Sequence, residues 1–227
     1  MRKFLRRLFL LVYLVLVGLG LYGALGYRDA RAGGDDFRAR ADALIAAGQG
    51  AEALGADRVA MLLAVEDPTF FVHSGIDLTT PGAGATTITQ SLSKRLGFDA
   101  FRPGIGKIRQ TGFAFGLERE LTKPQILALA LETFEMGRFA RDDIWITGFL
   151  AASEAAYGAP PSDVTEAQFL RLIAVLVSPG TLTGPGGTDQ LDNRVQRISA
   201  LLSGACAPRD HGDVWLEGCA DRVRGPN

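Results

Sequence analysis

Leu8 to Tyr27 is twenty residues without a charged side chain, and Arg2, Lys3, Arg6 and Arg7 stand directly before it. As a helix such a run is about 30 Å long, the thickness of one bilayer core. By the positive-inside rule the N-terminus stays cytoplasmic and the rest of the chain is expected beyond the membrane. Ala30-Arg31-Ala32 also fits the small-x-small form of a cleavage site. The apolar run, however, exceeds the roughly 7–15 residues of a signal-peptide core, which favours an uncleaved anchor. The expected organisation is a tail over 1–7, a transmembrane anchor over 8–27, a polar Gly-containing linker over 28–36, one domain over 37–203 and a C-terminal tail over 204–227.

A chain of 227 residues, 47% hydrophobic, has room behind that anchor for one domain of ordinary size. Residues 1–28 hold five of the 24 basic residues and no acid, leaving 19 basic against 25 acidic residues, a net of −6, in the remainder. That balance argues against nucleic acid as a partner. Inside this acidic domain, Lys94, Arg95, Arg102, Lys107 and Arg109 face a single acid, Asp99, within sixteen residues. Such a strip points to an anionic ligand, although a solvated basic face reads the same way. Cys206 and Cys219, with only His211 between them, do not have metal-site spacing. In an oxidising compartment they are able to form one disulfide that pins the tail.

Helical signals dominate the rest. Phe37–Ile45 reads as a helix ended by Gly48 and Gly50, and Val59–Glu66 as a second. Lys107–Leu121 and Lys123–Met136 follow, the latter opened by a capping box of Thr122 and Gln125 with Pro124 in its first turn. Ile144–Tyr157, Glu166–Val177 and Gln190–Leu202 complete the set. No stretch shows sustained period-two alternation, so the domain is expected to be mainly α. Thr86–Lys94 is rich in threonine and suits a strand on propensity alone.

The chemistry concentrates in Glu66-Asp67-Pro68-Thr69-Phe70-Phe71-Val72-His73-Ser74-Gly75-Ile76-Asp77. A carboxylate directly after an apolar helical run is partly desolvated, which raises its pKa and suits it to general-base work. A helix ending in solvent is the plainer reading of the same residues. The pattern E-D-x-x-F-x-x-H-x-G-I-D resembles the first motif of the peptidoglycan glycosyltransferases (glycosyltransferase family 51), with Glu66, Asp67, Phe70, His73, Gly75 and Asp77 all matching. Thr86-Thr87-Ile88-Thr89-Gln90-Ser91-Leu92-Ser93-Lys94 resembles the second motif, G-S-T-I-T-Q-Q followed by lysine, and this favours a helix there. The resemblance covers roughly Val59 to Pro179.

The resemblance implies a lysozyme-like α fold behind one N-terminal transmembrane helix, in the bacterial inner membrane with the main domain periplasmic. It implies Glu66 and the Gln110 position as catalytic, and Asp67, Thr87, Gln90, Lys94, Arg102 and Lys107 as substrate-binding. Phe70, His73, Gly75 and Asp77 are expected to brace the loop. Lipid II and the growing glycan chain would be the substrates, membrane lipid and other cell-wall synthesis proteins the partners, and Mg²⁺ or Mn²⁺ the cofactor, with no metal ligands assignable. A non-polymerising relative that binds the lipid-linked precursor, or a lytic glycosidase pairing Glu66 with Asp77 or Glu118, are the alternatives.

The chain departs from the family pattern at several points. In R-K-x-x-E the arginine is Gly106 and the glutamate is Gln110, with Arg109 a nearby replacement cation. In K-x-E-I-L-x-x-Y-L-N the tyrosine is Ala130 and the asparagine Glu132. The long mobile segment that borders the acceptor groove in the family is reduced to Leu78–Ala85.

Overall fold

The computed structural model describes residues 1–138 and 144–220. The first helix, α1, spans Arg2–Ala32 as one continuous element, and its most apolar part is free of contacts with the domain. It is long and apolar enough to cross a membrane. The expected linker over 28–36 is helix instead, with Gly33 separating α1 from α2 (Gly34–Ala46). Docking is the reason. From Gly23 onward the C-terminal turns of α1 pack along α5 (Gly106–Glu120). There Arg31 Nε donates to Glu120 at 2.8 Å and Arg109 to Asp29 at 2.8 Å.

Glycines allow that approach. A Cβ on Gly112 would lie 1.9 Å from the Gly23 carbonyl oxygen, and one on Gly26 would lie 2.1 Å from that of Arg109. Small residues on both helices thus bring the backbones together as in membrane helix pairs. The two helices run parallel, Gly23 beside Ile108 and Ala30 beside Gly116. The start of α5 therefore lies toward the apolar N-terminal part of α1.

The domain is mainly α, as expected. Helix α3 (Ala56–Glu66) precedes the motif loop, and α4 (Ile88–Gly97) follows it. Thr87 and Gln90 form a reciprocal capping box that starts α4, which overrides the strand propensity of the threonine run. Helix α6 (Lys123–Thr133) is the central element: Ile126, Leu127, Ala128, Leu129, Ala130 and Leu131 are all buried. Around it pack Leu62, Leu92, Leu117, Phe149, Phe169 and Ile173 in one continuous core. Helices α7 (Phe149–Tyr157), α8 (Glu166–Val175), the short α9 (Pro179–Leu182) and α10 (Thr188–Leu202) complete the set.

Two expected helices are shorter than their apolar runs. Residues Glu135–Gly137 form β1, paired antiparallel with β2 (Ile146–Thr147). A two-rung pairing is too short to show as alternation, so Lys123–Met136 and Ile144–Tyr157 read as uninterrupted helices. Of the expected tail over 204–227, residues 221–227 lie outside the described residues, and 204–220 fold back on the domain. Cys206 and Cys219 are joined by a disulfide with Cα atoms 5.2 Å apart.

Candidate active site

Glu66 is the last residue of α3, whose Leu62, Leu63 and Val65 are buried in the core. The helix therefore fixes the glutamate at the wall of a cleft of about 410 Å³. Thr86, Thr87, Lys94, Arg95 and Arg194 line the same cleft, with Leu176, Val177, Pro179 and Val214 as its apolar side. Burial raises the Glu66 pKa from 4.5 to about 7; the charge of Arg194 opposes the rise and that of Asp67 adds to it. A carboxyl group so placed exchanges a proton near neutrality, as a general base requires.

Asp67 does not reach the cleft. Its buried carboxylate accepts from His73 Nε2 at 2.9 Å and from the Ile88 backbone N–H at 2.9 Å. The Gly75 N–H donates to His73 Nδ1 at 3.0 Å, which leaves Nε2 as the protonated nitrogen. Asp67 thus binds the motif loop to the N-terminus of α4, where a negative charge also complements the helix dipole. The expected substrate-binding role of Asp67 gives way to this bracing one, because both carboxylate oxygens are engaged inside the protein.

The other loop residues are likewise engaged inside the protein. Phe70 is buried beneath the Lys123 ammonium, 4.6 Å from its ring centre. Asp77 accepts from the Thr69 hydroxyl and from the backbone N–H groups of Thr79 and Thr80. These bonds pull its pKa well below the usual carboxylate range despite burial. Thr87 lines the cleft while its hydroxyl donates to the Gly75 carbonyl at 2.7 Å. Gln90 lies behind it, its amide donating to Thr111. Gln90 is therefore placed to shape α4, not to touch a ligand in this cleft.

The cations divide into two groups. Lys94 and Arg95 lie in the last turns of α4 and line the cleft. Burial, then Arg95 and Lys107, lower the Lys94 pKa, while burial lowers that of Arg95 to about 10. Lys107 and Arg102 are exposed, on the first turn of α5 and the loop before it, outside the cleft lining. Arg109 is no replacement cation for Gly106, since Asp29 of α1 holds it and Phe98 stacks on it.

Arg95 and Arg194 line the cleft without a motif that singles them out. In the sequence Arg95 reads only as part of a basic strip. Arg194 carried a readable signal: it occupies the apolar face of α10, between Leu191 and Ile198 at three- and four-residue spacing. A buried arginine at such a position needs an acceptor or a function. Its Nη1 donates to the Val214 carbonyl, and its buried Nε has no hydrogen-bond partner among the described residues.

Gln110, at the position of the family's second glutamate, is buried and donates from its amide to the Gln90 carbonyl at 2.7 Å. It ties α5 to α4 and is absent from the cleft lining. Gln110→Glu should therefore set a carboxylate against a carbonyl oxygen and destabilise the domain by about 1–3 kcal/mol at neutral pH. The check is a lower melting temperature in detergent that recovers as pH falls and the new carboxyl group protonates. Two further departures also lie away from the cleft: Ala130 is in the core, and Glu132 pairs with Arg40 of α2 at 2.8 Å.

A lytic mechanism would need a second carboxylate across the scissile bond. Asp77 is engaged as described, and Glu118 accepts from Thr89 at 2.6 Å and from Lys123 at 2.7 Å. The implied Mg²⁺ or Mn²⁺ also finds little support in the donor set. Among the described residues no three His, Cys, Asp or Glu side chains converge. Lys94 and Arg95 make their end of the cleft cationic, and Asp67 and Gln110 face elsewhere, so no step is assigned to a metal.

The transglycosylase family model matches residues 50–203, about two thirds of the chain. The chain is 34% identical over 153 residues to a biosynthetic peptidoglycan transglycosylase of a Marinomonas species, covering 62% of this chain and 65% of that protein. It is 28% identical over 160 residues to the protein of that name from a Janthinobacterium species, covering 65% and 67%. Against penicillin-binding protein 1B of Buchnera aphidicola it is 33% identical over 141 residues, covering 54% of this chain and 18% of the larger protein. The matched part thus spans about two thirds of the transglycosylases and under a fifth of the penicillin-binding protein. With its motif glutamate at the wall of a cationic cleft, the chain belongs to the transglycosylase family.

Proposed function

We propose that the protein is a peptidoglycan glycosyltransferase that polymerises lipid II. The observation that carries this reading is Glu66, held in a cleft whose far end is lined by Lys94 and Arg95. Glu66 takes the proton from the acceptor sugar hydroxyl, and that oxygen attacks the anomeric carbon of the lipid-linked donor from the opposite face. A new glycosidic C–O bond forms with inversion as the bond from the anomeric carbon to the pyrophosphate oxygen breaks. The electron pair leaves on undecaprenyl pyrophosphate, whose growing charge Lys94 and Arg95 neutralise, with Lys107 and Arg102 as the outer cations.

Helix α1 anchors the domain, N-terminus in the cytoplasm and catalytic domain on the periplasmic face of the inner membrane. The basic residues before the span and the disulfide in the C-terminal part support this orientation. The parallel packing of α1 and α5 supports a position beside the membrane for the exposed Ile105 and the outer cations, where a lipid pyrophosphate would arrive.

The test is polymerisation of labelled lipid II by the full chain in detergent, with a precursor-binding measurement alongside. Glycan polymer is the expected product. Precursor binding without polymer would replace this reading with that of a binding protein, and soluble fragments from preformed glycan strands with a lytic one.

A further inference from the structure

The segment between Asp77 and Thr86 is a short Pro/Gly loop, and the C-terminal part of the chain folds over it. The Gly82 N–H donates to the Asp210 carbonyl at 2.9 Å, and the Gly84 N–H to that of His211 at 2.8 Å. His211 Nδ1 lies 3.0 Å from the Thr80 carbonyl. The two segments touch so closely that only glycine fits: a Cβ on Gly84 would lie 2.3 Å from Val214 Cγ1, and one on Gly82 2.7 Å from Pro208 Cγ. Both glycines also have positive φ, +79° and +67° in chain order, which other residues adopt at a cost.

The partner segment is itself held rigidly. The disulfide closes Cys206–Cys219 into a loop. Inside the loop the Asp213 carboxylate accepts from the backbone N–H groups of Arg209, Glu217 and Gly218 at 2.7–2.9 Å. Leu216 and Cys219 are buried in the core. From below, Arg194 donates to the Val214 carbonyl, and Arg197 donates to that of Trp215 at 3.1 Å.

Val214, Gly82, Gly84 and Arg194 all line the cleft that holds Glu66. They lie at the N-terminal end of α4, whereas Lys94 is seven residues further along, roughly 10 Å away at 1.5 Å per residue. The cationic end suits the donor's pyrophosphate, so the loop walls the end left for the second sugar.

We propose that the disulfide-closed loop Cys206–Cys219 forms the acceptor-side wall of the active site, with Val214 a specificity-determining residue that sets the hold on the incoming glycan. The proposal rests on the glycosyltransferase reading. In it, the wall replaces a longer segment by covalent closure from the other end of the chain. It contributes to binding the acceptor, not to proton transfer.

The test uses the full chain in detergent, comparing Val214→Ala and the pair Cys206→Ser/Cys219→Ser with the native protein. Val214→Ala removes two methyl groups from the wall and leaves the backbone bonds in place. It should raise KM for lipid II about tenfold with little change in kcat, and alter the length distribution of the product. The paired cysteine variant should lose hydrogen-exchange protection at Gly82 and Gly84 and show the same kinetic change. Unchanged KM and product length in both variants, with native polymerisation intact, would overturn the wall proposal alone. If the native protein binds lipid II without polymerising it, the glycosyltransferase reading fails separately. The wall is then judged by affinity: a drop of similar size in Val214→Ala supports it, and no drop overturns it.

Discussion

Glu66→Gln should lower the rate of lipid II polymerisation by about 10²–10⁴-fold, the usual contribution of a positioned general base. The substitution keeps the shape of the side chain and its place at the end of α3, so precursor binding should persist while turnover is lost. The same residue sets the pH dependence. Burial holds its pKa at about 7, so the carboxylate that accepts the proton forms only as pH rises through that value. Activity should accordingly climb from pH 6 to pH 8 along a single titration. Arg194 tests the cause, because its charge opposes the rise. Arg194→Leu should move the acid limb of the pH–rate profile to higher pH. A profile flat across this range, or full turnover in Glu66→Gln, would remove Glu66 from the chemistry.

Asp67→Ala should cost about 3 kcal/mol or more of stability, through a different mechanism from its neighbour. Two buried donors, His73 Nε2–H and the Ile88 N–H, lose a charged acceptor, at about 1.5–3 kcal/mol each. The loss also frees the start of α4 from the motif loop, so Thr87 and Lys94 lose their fixed relation to Glu66. The expected result is a lower melting temperature together with reduced turnover. Asp67→Asn, which keeps one acceptor oxygen, should be milder in both. A destabilised Asp67→Ala with normal precursor affinity would separate bracing from direct substrate contact.

Adjacent residues of one motif thus serve different ends, and the motif alone does not say which. Glu66 and Asp67 are both carboxylates after the same apolar helix. One projects into a cleft and the other into the packing between α3, the loop and α4, because the chain leaves the helix between them. Gln110 is similar. Read in line with a family pattern it is a missing catalytic glutamate, yet its amide is a hydrogen-bonded tie between two helices.

Much that depends on local order was legible. A run of twenty uncharged residues specifies a membrane-length helix through length and hydropathy alone. The capping box at Thr122 marked a helix start because the bonds it makes span only three residues. Glu66 and Lys94, the residues that the motif resemblance points to, both line the cleft. What required tertiary structure came from segments far apart in the chain. The stretch over 28–36 became helix on either side of Gly33 because α1 docks on α5, some eighty residues away, through glycines whose meaning appears only when two backbones touch. Arg194 reached the cleft from α10, and Val214 through a disulfide loop that covers a shortened segment over a hundred residues earlier. Periodicity reports which face of an element is apolar but not which distant element will meet it, and the second half of this cleft is made by such a meeting.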